Sequence, residues 1–101
     1  MCIRDSLVLI AKDDAYEAGR TVANVEEMLE SDNILGFVGV IGTPNNFAIR
    51  PITDDACVPQ LLNLSGFPFW GDPANYPWTV GNILNYITET NIWCEAIVEE
   101  F

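Results

Sequence analysis

Three short apolar runs, "LVLIA" (7–11), "ILGFVGVI" (34–41) and "VPQLLNL" (58–64), recur about every 25 residues. Such runs suit strands buried on both faces. Between the first two, Val22, Val25, Met28 and Leu29 fall on one face at helical spacing while Glu26, Glu27 and Glu30 fall on the other. That pattern predicts an amphipathic helix over about 20–31. Between the second and third, "TPNNFAIRPITDD" (43–55) starts with Thr43 before Pro44, a pairing of helix N-cap and first-turn proline. Pro51 is expected to kink or shorten that helix. A loop rich in aromatics, proline and glycine, "SGFPFWGDPANYPWT" (65–79), follows. A last helix from about residue 84 offers Ile83, Ile87, Trp93, Ala96 and Ile97 as an apolar face.

Buried strands alternating with amphipathic helices imply right-handed crossovers and a parallel sheet. The expected fold is therefore α/β, a parallel βαβαβα segment of a doubly wound, Rossmann-like sheet with helices on both faces. Three strands leave such a sheet open at its edges, which suits a slice of a larger domain better than an independent one.

The first six residues stand apart. "MCIRDS" has no helix cap and no secretory n-region, and its back-translation resembles a transposon end used in sequencing libraries. Residues 1–6 are thus expected to be translated adapter, and 7–101 the protein proper.

Charge narrows the function. Fifteen Asp and Glu oppose four Lys and Arg, a net charge of −11, which argues against nucleic acid and anionic membranes as partners. No apolar run is long enough to span a bilayer. The chain has no histidine, which removes Ser-His-Asp and Cys-His chemistry. Cys57 and Cys94 are too isolated for a zinc site or a disulfide framework, and read as small buried residues. No metal, cofactor or catalytic set is expected.

Ligands of open parallel sheets bind beyond the carboxyl ends of the strands. Three such ends are legible: Asp13-Asp14, Gly42-Thr43, and Ser65-Gly66-Phe67-Pro68. At Thr43 the hydroxyl, the free first-turn N–H groups and the helix dipole suit a carboxylate, or the hydroxyl only caps its own helix. Asp13-Asp14 reads as a turn cap, with a metal or acid–base role lacking further ligands. Gly36, Gly39 and Gly42 lack the dinucleotide fingerprint spacing, and Gly36 and Gly39 are placed inside the strand. Trp70, Tyr76 and Trp78 either wall a cleft or cover the end of the sheet.

Taken in order, "DD" after a strand, "GRTVANV", "GTP-N", "VPQL", "SG", "WGDP" and "YPWT-G" resemble the N-terminal lobe of type I periplasmic substrate-binding proteins. The nearest group is the branched-chain amino acid-binding family of ABC importers. The likeness spans essentially 7–101. It implies a partial N-terminal lobe of a periplasmic or extracellular protein. A small-molecule ligand would be trapped between two lobes and passed to a membrane permease, without catalysis. It further implies that Gly42, Thr43, Ser65, Gly66, Phe67 and Pro68 face the ligand, Thr43 matching the family's carboxylate-binding hydroxyl. Phe67 and Pro68 depart from the small residue and the Ser or Thr common there. An amide, an aromatic acid or another small carboxylate is therefore as plausible a ligand as a leucine-type head group. Cys57 replaces a common helix-end glycine. A sensor domain of a signalling receptor with the same fold is the alternative; a Rossmann-like enzyme or response-regulator fragment would need a phosphate loop or a further acidic residue.

Overall fold

The computed structural model describes residues 7–100; the expectation for 1–6 lies outside them. The elements are α1 (Ala18–Ser31), β1 (Phe37–Val38), α2 (Thr43–Asp55), β2 (Gln60–Asn63), a single 3-10 turn (Pro68–Trp70), β3 (Thr79–Gly81) and α3 (Tyr86–Glu100). The three strands form one parallel sheet in the order β1-β2-β3. The architecture is α/β, compatible with a Rossmann-like segment.

Phe37, Gln60 and Thr79 stand opposite one another across the sheet and share one buried face. On it Val25 and Met28 of α1 and Ile49 of α2 close around Phe37, with Val22, Leu29, Ile34, Val40, Ile52 and Val58 at the margin. The helical face read for α1 is therefore the face that is buried, and its glutamates are exposed. Beside this small apolar core lies a polar one. Gln60, Asn45, Asn46 and Thr53 are fully buried. Gln60 donates from Nε2 to Asn46 Oδ1 at 2.5 Å, and Asn46 Nδ2 donates to the carbonyls of Val40 (2.8 Å) and Gly42 (2.7 Å). Strand β2 is thus locked to the start of α2 through side chains that have left water, where unmet polar groups are costly.

Several expectations are corrected. Residues 7–11 form no strand: Leu7, Val8 and Leu9 are 87, 83 and 87% exposed. Their apolar composition favours burial, but a strand also needs a hydrogen-bonding neighbour. A groove of about 740 Å³ separates this segment from β1. The third strand comes instead at the end of the aromatic loop, in a run too short to carry a periodic signal. Gly39 does not continue β1: at φ +70° it departs from strand geometry although its N–H still donates to the Leu61 carbonyl at 3.1 Å, and beyond it the pairing continues as an isolated bridge between Ile41 and Leu64. Helix α2 passes through Pro51 without being shortened. Cys57 and Cys94 are exposed thiols rather than buried ones. Finally, helices do not cover both faces of the sheet, because α3 has no buried residue.

Candidate functional site

The carboxyl ends of β1 and β2 lie side by side, so the segments that follow them meet. Gly42, with φ +97°, occupies the N-cap position of α2, and Thr43 is its first helical residue. The Thr43 hydroxyl makes no cap bond. It lies 2.7 Å from the Ser65 hydroxyl, across 22 residues of sequence. The reading of Thr43 as the cap of its own helix is thereby corrected. Ser65 is 2% exposed while Thr43 is half-buried, so Thr43 is the outer member of the pair. Ser65 Oγ also accepts the Phe67 N–H at 3.3 Å. With that donor below it, the Ser65 hydroxyl can donate to Thr43, leaving the Thr43 proton directed onward. Such a relay polarises each successive group toward an acceptor.

The helix start adds to this. The Asn46 N–H is spent on the Gly42 carbonyl at 3.1 Å, so Thr43 and Asn45 hold the first-turn N–H groups that α2 itself leaves over. Pro44 has none. The dipole of the thirteen-residue helix favours negative charge at the same point.

Two tyrosines, neither singled out by the sequence, close the flanks. A Cβ placed on Gly42 would come within 2.6 Å of the Tyr16 ring, and one placed on Gly66 within 2.5 Å of the Tyr86 ring. Tyr16 is 59% exposed and Tyr86 47%, so each ring lies against a glycine on one side and offers the rest to solvent. The glycines are what admit the rings. Tyr86 is further held by its N–H, which donates to the Gly66 carbonyl at 2.7 Å.

Tyr16 is positioned by Asp13-Asp14, which act as turn caps. Asp13 accepts from the Ala15 N–H (2.8 Å) and Asp14 from the Tyr16 N–H (2.9 Å), holding Ala15 and Tyr16 at φ +50° and +61°. Asp14 also accepts from Thr21 Oγ1 (2.7 Å) and Asn45 Nδ2 (2.9 Å), joining the turn to α1 and α2. The Thr21 bond is the main reason that the Asp14 carboxyl titrates below its ordinary 3.8; partial burial opposes the shift, and the Tyr16 N–H and Asn45 reinforce it. No group of three or more metal-ligating side chains occurs among the described residues.

Phe67 and Pro68 contribute differently. The Phe67 ring packs on Phe47 at 4.8 Å and lies 5.6 Å from Trp70, so at the hydroxyl pair it acts through its backbone N–H. Pro68 opens the 3-10 turn and lines a separate cleft of about 530 Å³ beside β3. Four of the six residues expected at the site, Gly42, Thr43, Ser65 and Gly66, are thus brought together directly. The aromatic loop is chiefly cover. Buried Arg50 stacks 3.6 Å over the Tyr76 ring and 5.2 Å from Trp70, and donates to the Phe69 carbonyl at 3.1 Å.

Compared with protein-family models, curated proteins and solved structures, the chain matches none. No helix among the described residues is long and apolar enough to cross a membrane.

Proposed function

We propose that this chain is part of the N-terminal lobe of an extracytoplasmic solute-binding protein of an ABC importer. In this reading it holds the polar head of a small amino acid-like, carboxylate or amide ligand against the ends of β1 and β2. A second lobe closes on the other side, and the ligand is handed to a permease rather than transformed. The observation that carries the reading is the Thr43–Ser65 hydroxyl pair, 2.7 Å apart at two adjacent strand ends and at the start of α2. The Thr43 hydroxyl and the first-turn N–H groups of Thr43 and Asn45 lie at the same helix start, and such groups can recognise a compact anion or carbonyl without a basic side chain. The exposed edges of Tyr16 and Tyr86 would bound the ligand's apolar part.

Calorimetric titration of the complete gene product with a panel of amino acids, their amides and small carboxylates tests the proposal. Binding of one class, with stoichiometry near one, is expected. Thr43→Ala should then weaken it about ten- to a hundredfold, the equivalent of a charge-assisted hydrogen bond worth roughly 1.5–3 kcal/mol. Thr43 does not cap α2, but the variant leaves the buried Ser65 hydroxyl without its acceptor, so a stability loss of about 1–3 kcal/mol is expected and folding is checked by melting before affinity is compared. A panel without a binder, or unchanged affinity in Thr43→Ala, overturns the reading.

A further inference from the structure

Buried polar atoms without partners gather around one glycine. Trp70 is 3% exposed and Thr79 5%, and neither Trp70 Nε1 nor Thr79 Oγ1 has a hydrogen-bond partner among the described residues. Asn63 is fully buried, and both its amide atoms are in the same state. Asn63 stands opposite Gly81 in the ladder of β2 on β3. Thr79 is two residues before Gly81 and so shares its face of the strand. A Cβ placed on Gly81 would come within 2.9 Å of the Trp70 side chain. Buried polar groups are normally met, and an indole N–H that leaves water normally finds an acceptor.

Trp70 and Thr79 are also part of the wall of the cleft of about 530 Å³ beside β3. Most of the remaining wall is apolar, from Phe67, Pro68, Pro73, Pro77, Val80 and Ile83, and no charged side chain lines it. A cleft of this size, apolar but for a few polar groups, has the build of a small-molecule site. None of Gly42, Thr43, Ser65 and Gly66 lines it, so it stands apart from the hydroxyl pair.

The wall sets the chemistry of an occupant. An indole N–H only donates, whereas a hydroxyl donates or accepts. A carboxamide meets both from one edge: its carbonyl accepts from Trp70 Nε1 and its N–H donates to Thr79 Oγ1. Charge is disfavoured in either sign. With no cation in the wall and a net charge of −11 on the chain, a carboxylate finds nothing to offset its desolvation. With no carboxylate in the wall, an ammonium would be desolvated unpaired. The Trp70 ring is already packed, with Phe47 at 5.0 Å and Arg50 at 5.2 Å, which leaves its N–H as the group still to be met.

We propose that the cleft beside β3 is a binding site for a small neutral amide with an apolar body, the amide held by Trp70 Nε1 and Thr79 Oγ1. Both atoms are closed to water, so the amide reaches them as the aromatic loop gives way. Residues 71–78 of that loop form no helix or strand.

The test is nuclear magnetic resonance of the isotope-labelled 101-residue chain, whose three tryptophans give three indole N–H signals. Trp78→Phe and Trp93→Phe assign the Trp70 signal by elimination. Benzamide is the probe and benzoate its charged counterpart. The expected result is a saturable shift of the Trp70 signal by benzamide at about millimolar concentration, as suits so small a fragment, with benzoate binding at least about tenfold more weakly. Thr79→Val removes the hydroxyl and keeps the volume. It should weaken benzamide about three- to tenfold, yet melt no lower than the parent, because the hydroxyl removed has no partner. The proposal is overturned by a Trp70 signal that benzamide leaves in place, by an equal shift at exposed Trp93, or by benzoate binding as tightly as benzamide. Undiminished binding in Thr79→Val overturns it too, and a lower melting temperature in that variant would mean that the hydroxyl is satisfied without an occupant, which also overturns it.

Discussion

Asn46→Leu should be among the most damaging single changes in the chain. Its amide is fully buried and makes three hydrogen bonds, to the carbonyls of Val40 and Gly42 and from Gln60 Nε2. The two carbonyls would keep other partners, the N–H groups of Leu64 and of residue 46 itself. Each of those two losses should therefore cost only the net worth of a hydrogen bond, about 0.5–1.5 kcal/mol. Gln60 is different. It is also fully buried, and its Nε2 would be left without a partner, at about 1–3 kcal/mol. The sum is about 2–6 kcal/mol, a large share of the roughly 5–15 kcal/mol by which domains are stable. Gln60→Leu made in the Asn46→Leu background removes the orphaned donor, so the double variant should recover about 1–3 kcal/mol of that loss. Urea unfolding followed by far-UV circular dichroism, on the parent, both single variants and the double, measures each step. Two results would refute the reasoning: a loss in Asn46→Leu below about 0.5 kcal/mol, or a double variant as unstable as the singles added together.

Other consequences can be measured separately. Because Asp14 titrates below 3.8 when folded, its contribution is fully present above that pH and is lost as pH falls through the lower folded value; Asp14→Asn should flatten the acid limb of a stability–pH curve and leave its slope above pH 5 unchanged. Cys57 takes φ +55° at the end of α2, where its N–H and that of Val58 bond back to Asp54 and Thr53, the arrangement that favours glycine. Cys57→Gly should stabilise the chain by roughly 0.5–1 kcal/mol in the same unfolding assay, the strain relieved exceeding the entropy lost. Gly42→Ala meets both the Tyr16 ring and a φ of +97°, and should lower the melting temperature by more than Gly19→Ala, which meets nothing. Arg50→Met should release the loop around Tyr76, seen as faster proteolysis between β2 and β3, while a loop cut no faster would mean that the stacking does not hold it.

The helices were the most legible part of the sequence. Three- and four-residue spacing marked the buried face of α1, and Thr43-Pro44 marked the start of α2, because both signals are local. Strand composition was legible too, yet it stated only a demand for burial. Whether "LVLIA" pairs depends on a neighbour in space, and the groove beside β1 withholds one; "TVG" pairs because β2 offers it a partner, though three residues show no pattern. The site divides in the same way. That Gly42-Thr43 and Ser65-Gly66 end strands could be read from the chain. That their hydroxyls touch follows from the parallel register of β1 on β2, and that Gly42 rather than Thr43 takes the N-cap position is decided by the backbone of the turn. Tyr16 and Tyr86 carry no sequence signal, since a tyrosine in a loop or at a helix start is ordinary; they matter because the fold lays each across a glycine. Local chemistry determined which segments could be helix, strand or ligand-facing loop, and the pairing of distant strands decided which of those segments meet.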